Sequence, residues 1–157
     1  MKYRAITSEN FYYKELKNTA LLLKETQVPF EDAKELIRAK DVLDTKSIAN
    51  FNKKFLSISK RYNALSEELR AMLCEADSEN GKFINFYAIL LAERIVLEFM
   101  DEVVRENFAR LNYQLSNSDF ISFMKHKQEQ SEDVASWSLR SIKEITKKMK
   151  NFPLEAG

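Results

Sequence analysis

The sequence predicts an all-α protein, on three observations. Apolar residues recur at three- and four-residue steps along almost the whole chain, and sustained period-two alternation is absent. There are 2 Gly and 2 Pro in 157 residues, too few for the many turns of an all-β fold. Hydrophobic residues make up 45% and charged residues 31%, a balance that supplies a core and a solvated surface rather than a disordered tail. At roughly 150 residues per domain the length suits one domain. The expectation is a single helical domain over 1–157, with a helix-turn-helix-like portion over 1–65 and a bundle portion over 66–157.

The first helix is expected from Ser8 or Glu9 to about Thr26, with Tyr12, Leu16, Thr19 or Ala20, and Leu23 on its apolar stripe. Val28-Pro29 ends it, because a residue before proline is pushed out of the α region. Pro29, Glu31 and Asp32 suit the start of a short helix, about Phe30 to Lys40, since acidic residues favour a helix N-terminus. Asp41 to Asp44 is read as the connection. Thr45 or Asp44 then caps a third helix, about Lys46 to Leu65, with Ile48, Phe51, Phe55, Ile58 and Tyr62 as its apolar stripe. Ser66 caps a fourth helix that ends near Asp77, and Ser78-Glu79-Asn80-Gly81 reads as a loop. From Lys82 a long helix extends toward Leu111. Between Phe83 and Met100 it is apolar on nearly every side, which predicts the buried centre of a bundle. Ser118 or Asn117 caps the next helix. The last runs from about Ser131 to Asn151, with Trp137 in the core and Pro153 as its stop.

The charge distribution is more informative than its total of +1. From Thr45 to Tyr62 the chain has five basic residues and no acidic one. An ordinary solvated helix mixes Glu with Lys at four-residue spacing, and a one-sign face repels itself unless something anionic meets it. Helix, break, short helix, connection and basic helix together outline a helix-turn-helix. On that reading Lys46, Lys53, Lys54, Lys60 and Arg61 bind phosphates, and Asn50 or Ser57 reaches base edges. Lys34, Arg38 and Lys40 of the short helix add to the same surface. A solvated basic face is the competing reading. Arg140, Lys143, Lys147, Lys148 and Lys150 form a secondary basic surface, unless they only complement the dipole of their own helix. Acidic residues gather at Glu67, Glu68, Glu75, Asp77 and Glu79, and again at Glu98, Asp101, Glu102 and Glu106.

Most other chemistry is excluded. One Cys and one His rule out an internal disulfide and a multi-Cys or multi-His metal site. No glycine-rich phosphate loop or nucleophile motif occurs. Glu98, Glu102 and Glu106 read as a solvated stripe balanced by Arg94 and Arg105, His126 as exposed, and Cys74 as a small buried thiol. Phe86 to Leu97, interrupted by Glu93 and Arg94, is too short to span a bilayer, and no signal-peptide run stands at the start. The expectation is a cytoplasmic non-enzyme without a cofactor.

Three stretches resemble, in order and spacing, the BrxA family of bacterial phage-exclusion (BREX) systems. They are Asp41-Val42-Leu43-Asp44-Thr45-Lys46-Ser47 with the basic helix to Arg61; Glu102-Val103-Val104-Arg105-Glu106 with Leu115-Ser116-Asn117-Ser118-Asp119-Phe120; and Trp137-Ser138 with Leu154-Glu155-Ala156-Gly157. The resemblance implies an all-helical fold likened to the RNA-binding antitermination factor NusB. It also implies a DNA-binding accessory protein encoded beside a methyltransferase, an ATPase and a phosphatase-like protein. Lys46, Lys53, Lys54, Lys60 and Arg61 are the positions it carries over. Family members usually have a Thr soon after the Trp-Ser pair, where this chain has Leu139-Arg140-Ser141, and they continue past the Glu-Ala-Gly stretch. A truncation at Gly157 is expected to remove any DNA contact made by that part and to expose apolar surface of the last helix. The function expected is non-catalytic duplex DNA binding in phage defence. RNA binding and a protein-interaction scaffold using the acidic faces are the alternatives.

Overall fold

The computed structural model describes residues 2–157, which form helices and connections without a strand. They fall into two compact units, Phe11–Ala92 with Glu155–Gly157, and Met1–Asn10 with Glu93–Leu154. The boundary lies well beyond residue 65.

The unit built on Phe11–Ala92 contains α1 (Tyr13–Thr26), a 3₁₀ turn (Phe30–Asp32), α2 (Lys34–Ala39), α3 (Ile48–Ala64), α4 (Glu67–Glu75) and α5 (Ser78–Ala92). Helix α3 packs on α5, and α1 packs on α4. The core is drawn from all five helices and the connection before α3: Leu16 and Leu23, Ile37, Leu43, Phe51 and Ile58, Leu73 and Ala88. Each large side chain fully buried there contributes about 1.5–3 kcal/mol. Helix α1 begins at Tyr13, not at Ser8 or Glu9, because Tyr12 adopts a left-handed backbone (φ 49°) that no helix continues through. It ends before Val28-Pro29 as expected.

The expected short helix is a 3₁₀ turn followed by α2, and the connection to α3 runs over residues 40–47. Asp41 and Asp44 stand at φ 47° and 46° in that connection, a conformation Asp tolerates, and Asp41 Oδ1 accepts the Thr45 N–H at 3.2 Å. Ser47, rather than Thr45 or Asp44, caps α3 and accepts the Asn50 N–H at 3.3 Å. A helix-turn-helix joins its helices by three or four residues, so this longer connection departs from that outline.

Ser78 to Gly81 is the first turn of α5, not a loop. Asp77 supplies the cap, accepting the Asn80 N–H at 2.8 Å. Gly81 is buried, and a Cβ there would lie 2.6 Å from the Tyr13 hydroxyl, so the glycine permits close approach rather than a turn. Gly81, Asn85, Ala88, Ile89 and Ala92 form the buried face of α5, while Phe83 and Tyr87 are exposed. Burial on all sides is therefore not observed; mostly small residues, with Ile89, face inward.

In the unit built on Glu93–Leu154, the expected long helix is interrupted at Glu93, which is extended (φ −125°, ψ 96°). The chain continues as α6 (Arg94–Phe99), a π turn (Met100–Val104) and α7 (Arg105–Ala109), then α8 (Asn117–Gln130), α9 (Glu132–Ala135) and α10 (Leu139–Ala156). Phe99 stacks on Phe120 at 4.5 Å and meets the edge of Phe123 at 5.3 Å. Ile95, Met124, Val134, Ile145 and Met149 are also buried. Asp119 accepts the Ser116 N–H at 2.6 Å, so Ser116, not Asn117 or Ser118, opens α8. Trp137 is half-buried in the connection before α10, and α10 continues through Pro153 to Ala156. Among the described residues no helix is long and apolar enough to cross a membrane.

Two isoleucines of the predicted α3 stripe now part company. Ile58 is fully buried, whereas Ile48 is 66% exposed. Urea denaturation should show Ile58→Ala losing about 2–5 kcal/mol and Ile48→Ala changing stability by less than about 0.5 kcal/mol.

Candidate nucleic-acid interface

Helix α3 turns about 100° per residue, so the part of the Thr45–Tyr62 basic stretch that lies on it wraps more than one face. Lys46, just before the helix, and Asn50, Asn52, Lys53 and Leu56 on it are exposed. Lys46 and Lys53 have no ion-pair partner among the described residues. Asn52 is absent from the sequence-predicted set, although its position on the helical wheel places it on this outward arc. Lys34 and Lys40 are exposed on and just after α2; Lys34 Nζ lies 5.5 Å from the centre of the Phe55 ring. Arg38 is held by Glu35 at 3.0 Å.

Lys54, Ser57 and Arg61 lie on the other side, next to the apolar stripe, and each has an internal task. Lys54 Nζ is 2.9 Å from Glu15 Oε1 of α1 and donates to the Leu43 carbonyl at 2.8 Å. It thereby pins the 40–47 connection between α1 and α3. Ser57 is buried and donates to the Lys53 carbonyl at 3.3 Å. Arg61 is 1% exposed; its guanidinium donates to the Phe11 carbonyl and lies 5.5 Å from the centre of the Tyr12 ring. These three residues are structural in this fold and do not face solvent as phosphate or base ligands. Lys60 is half-buried and engaged.

The last helix divides in the same way. Arg140, Lys143 and Lys147 are exposed along one side of α10. Lys148 donates to Asn10 and Lys150 to Asn117, each at 2.6 Å, so both fasten the helix to its own unit. Because α10 continues to Ala156, its last turn carries no basic residue. Dipole complementation therefore does not account for Arg140 and Lys143, which sit in its opening turns.

Glu102 and Glu106 are exposed at 46% and 57%, as a solvated stripe would be, whereas Glu98 is withdrawn; Glu98 and Glu102 also share a task. They flank Lys127, which is 3% exposed, with Nζ 2.8 Å from Glu98 Oε2 and 2.6 Å from Glu102 Oε1. The Tyr3 hydroxyl and Arg94 Nε also donate to Glu98, both at 2.6 Å. Burial pushes the Glu98 carboxyl up, but the bonds from Lys127, Tyr3 and Arg94 outweigh it and hold it below the ordinary carboxylate range. Burial works against the Lys127 ammonium, and the bonds to Glu102 and Glu98 overcome it, leaving its pKa raised. Arg105 pairs with Asp101 at 3.0 Å rather than with this cluster. Cys74 lines a cleft of about 510 Å³ with Tyr62 and Arg70, and burial pushes its thiol up, away from the reactive thiolate. His126 is exposed.

The fold and these faces define an all-helical protein of two units, each with solvent-facing basic residues. A family model described as BrxA matches residues 1–157, and the chain belongs to the BrxA family. It is similar to the BREX protein BrxA of Bacillus cereus, with 29% identity over 152 residues, covering 97% of this chain and 76% of that protein.

Two outcomes follow for stability. Arg61→Ala should cost about 2–4 kcal/mol, from a lost charged hydrogen bond and the cavity left behind, whereas Lys53→Ala should change stability by less than about 0.5 kcal/mol. Denaturant titration of both variants measures this. A carboxyl whose pKa is depressed on folding adds stability above its unfolded pKa and loses it as pH falls through the folded value. Thermal unfolding between neutral pH and about pH 3 should therefore show Glu98→Gln losing less stability on acidification than the wild type.

Proposed function

We propose that this chain is a non-catalytic component of a BREX phage-exclusion system and that it binds duplex DNA. Membership of the BrxA family, and similarity to a protein named as a BREX protein, support the defence role. Other components of such a system are then its protein partners. One observation carries the DNA reading. Lys46 and Lys53 stand in solvent without ion-pair partners on a face where no acidic residue occurs from Thr45 to Tyr62. Each lysine neutralises a phosphate and releases a counterion, and that release drives affinity at low salt. Asn50 and Asn52 share the exposed arc. An Asn side chain can donate to and accept from an adenine edge, so they are the base-reading candidates. Lys34 and Lys40 extend the phosphate-contacting surface, while Arg140, Lys143 and Lys147 form a second basic face.

The test is binding to a duplex DNA and to an RNA of equal length across a salt series, with wild type beside Lys46→Glu/Lys53→Glu. Duplex binding should weaken steeply with salt, and the double variant should flatten the log–log slope by about 2, one counterion-release unit for each lost phosphate contact. No binding at low salt, or an unchanged slope in the variant, overturns the assignment to this face. A preference for the RNA overturns the duplex reading in favour of RNA binding.

A further inference from the structure

Residues 40–47 carry Lys40 and Lys46, two of the exposed cations of the DNA face, yet they belong to no helix. Asp41 and Asp44 hold a left-handed backbone there, at φ 47° and 46°. Asp tolerates that conformation better than most residues, but it stays less favourable than the right-handed one. The connection therefore needs fastening from outside. The fully buried Leu43 side chain supplies one fastening, and Lys54 supplies the other. Side chains on a helix lean toward its N-terminus, and Lys54, about two turns into α3, reaches back to the connection. Its Nζ donates to the Leu43 carbonyl at 2.8 Å, to the Asp44 carbonyl at 3.4 Å and to Glu15 Oε1 at 2.9 Å. An ammonium has three N–H donors, and all three are spent inside the fold.

We infer that Glu15 and Lys54 are positioning residues of the duplex-binding face. They touch no DNA; they hold the 40–47 connection so that Lys40 and Lys46 are already placed when DNA arrives. The inference rests on the duplex-binding reading. Preorganisation of this kind adds affinity by removing the ordering cost from the binding step. Glu15 has the less obvious part. As an acidic residue near this face, it repels phosphate at long range. Its local effect is the opposite. It balances the Lys54 charge where the two side chains are only 19% and 21% exposed, and so keeps the ammonium on the two carbonyls instead of in solvent. Removing this negative charge should therefore weaken binding to a polyanion, the reverse of what net charge alone dictates.

Duplex binding across a salt series, with Glu15→Gln and Lys54→Met beside the wild type, tests it, together with amide hydrogen exchange of the free proteins. Both variants should bind about 3- to 10-fold more weakly at every salt concentration, the cost of ordering a side chain or two on binding. The log–log slope of Lys54→Met should equal that of the wild type, because no phosphate contact is lost; a direct contact by Lys54 would flatten it by about 0.9. In both variants the Val42, Asp44 and Thr45 amides, which are hydrogen-bonded at the connection, should exchange faster while those of α5 keep wild-type rates. Unchanged or tighter duplex binding by Glu15→Gln overturns the inference, as does a flattened slope in Lys54→Met. Unchanged exchange at the connection, or equal acceleration in α5, which marks general loss of stability, overturns it too. A wild type that binds no duplex overturns this inference together with the reading it rests on, whereas the other adverse outcomes, beside a wild type that binds, overturn this inference alone.

Discussion

The Phe11 carbonyl is the point on which the Phe11–Ala92 unit depends. It accepts from Arg61 of α3 and from Asn85 Nδ2 of α5, the latter at 2.7 Å. Both donors are buried, and a buried donor left unpaired costs more than the bond it makes is worth. The carbonyl is free to receive them because Tyr12 turns left-handed immediately after it and starts α1 one residue later. One strained residue thus sets the entry angle of α1 and orders three helices around one oxygen. Lys54 repeats the arrangement about two turns away, joining α3 to Glu15 of α1 and to the Leu43 carbonyl. The aromatic ring of Tyr12 lies within cation–π range of both cations.

This arrangement changes the meaning of the one-sign basic helix. Self-repulsion along α3 does call for an anionic partner, but part of that partner is internal: Glu15 and backbone carbonyls, contributed from outside the helix. The Glu93–Leu154 unit is organised in the inverse way. There a single buried cation, Lys127, gathers Glu98 and Glu102, and Tyr3 with Arg94 completes the shell of donors around Glu98. A buried ion pair is favourable only when its remaining lone pairs are also satisfied. The additional hydrogen bonds meet that condition at Glu98.

Fold class and most helix positions were legible because apolar periodicity and capping chemistry act locally. Ser66 before α4 and Val28-Pro29 after α1 behave as their residue types dictate. The failures share one cause, which is that tertiary proximity decides them. Gly81 looks like a loop residue until Tyr13 is seen against it. Glu98 looks solvated until Lys127, which the sequence placed beside exposed His126, turns inward to meet it. Phe83 and Tyr87 look like core until the smaller residues of α5 are found on its packed face. At the candidate interface, spacing separated the apolar stripe from the basic residues. It did not separate basic residues that flank the stripe, Lys54 and Arg61, from those opposite it, Lys46 and Lys53. That distinction depends on whether a neighbouring helix supplies an acceptor, which no single helix encodes.

The consequence for function is quantitative. With Lys54 and Arg61 withdrawn, the α3 face offers few phosphate contacts. At roughly 0.9 power of salt per contact, a surface with about four of them loses affinity quickly toward physiological ionic strength. Specific duplex binders compensate by adding base contacts or by engaging two sites at once. On the proposed reading both routes are open to this protein. Asn50 and Asn52 stand on the same exposed arc as the lysines, and Arg140, Lys143 and Lys147 present a second basic face. Linked faces raise the effective concentration of the second contact without any new interaction at the first. A weak, salt-sensitive single face is therefore compatible with stable engagement of DNA once a second face engages or the chain is held by partner proteins.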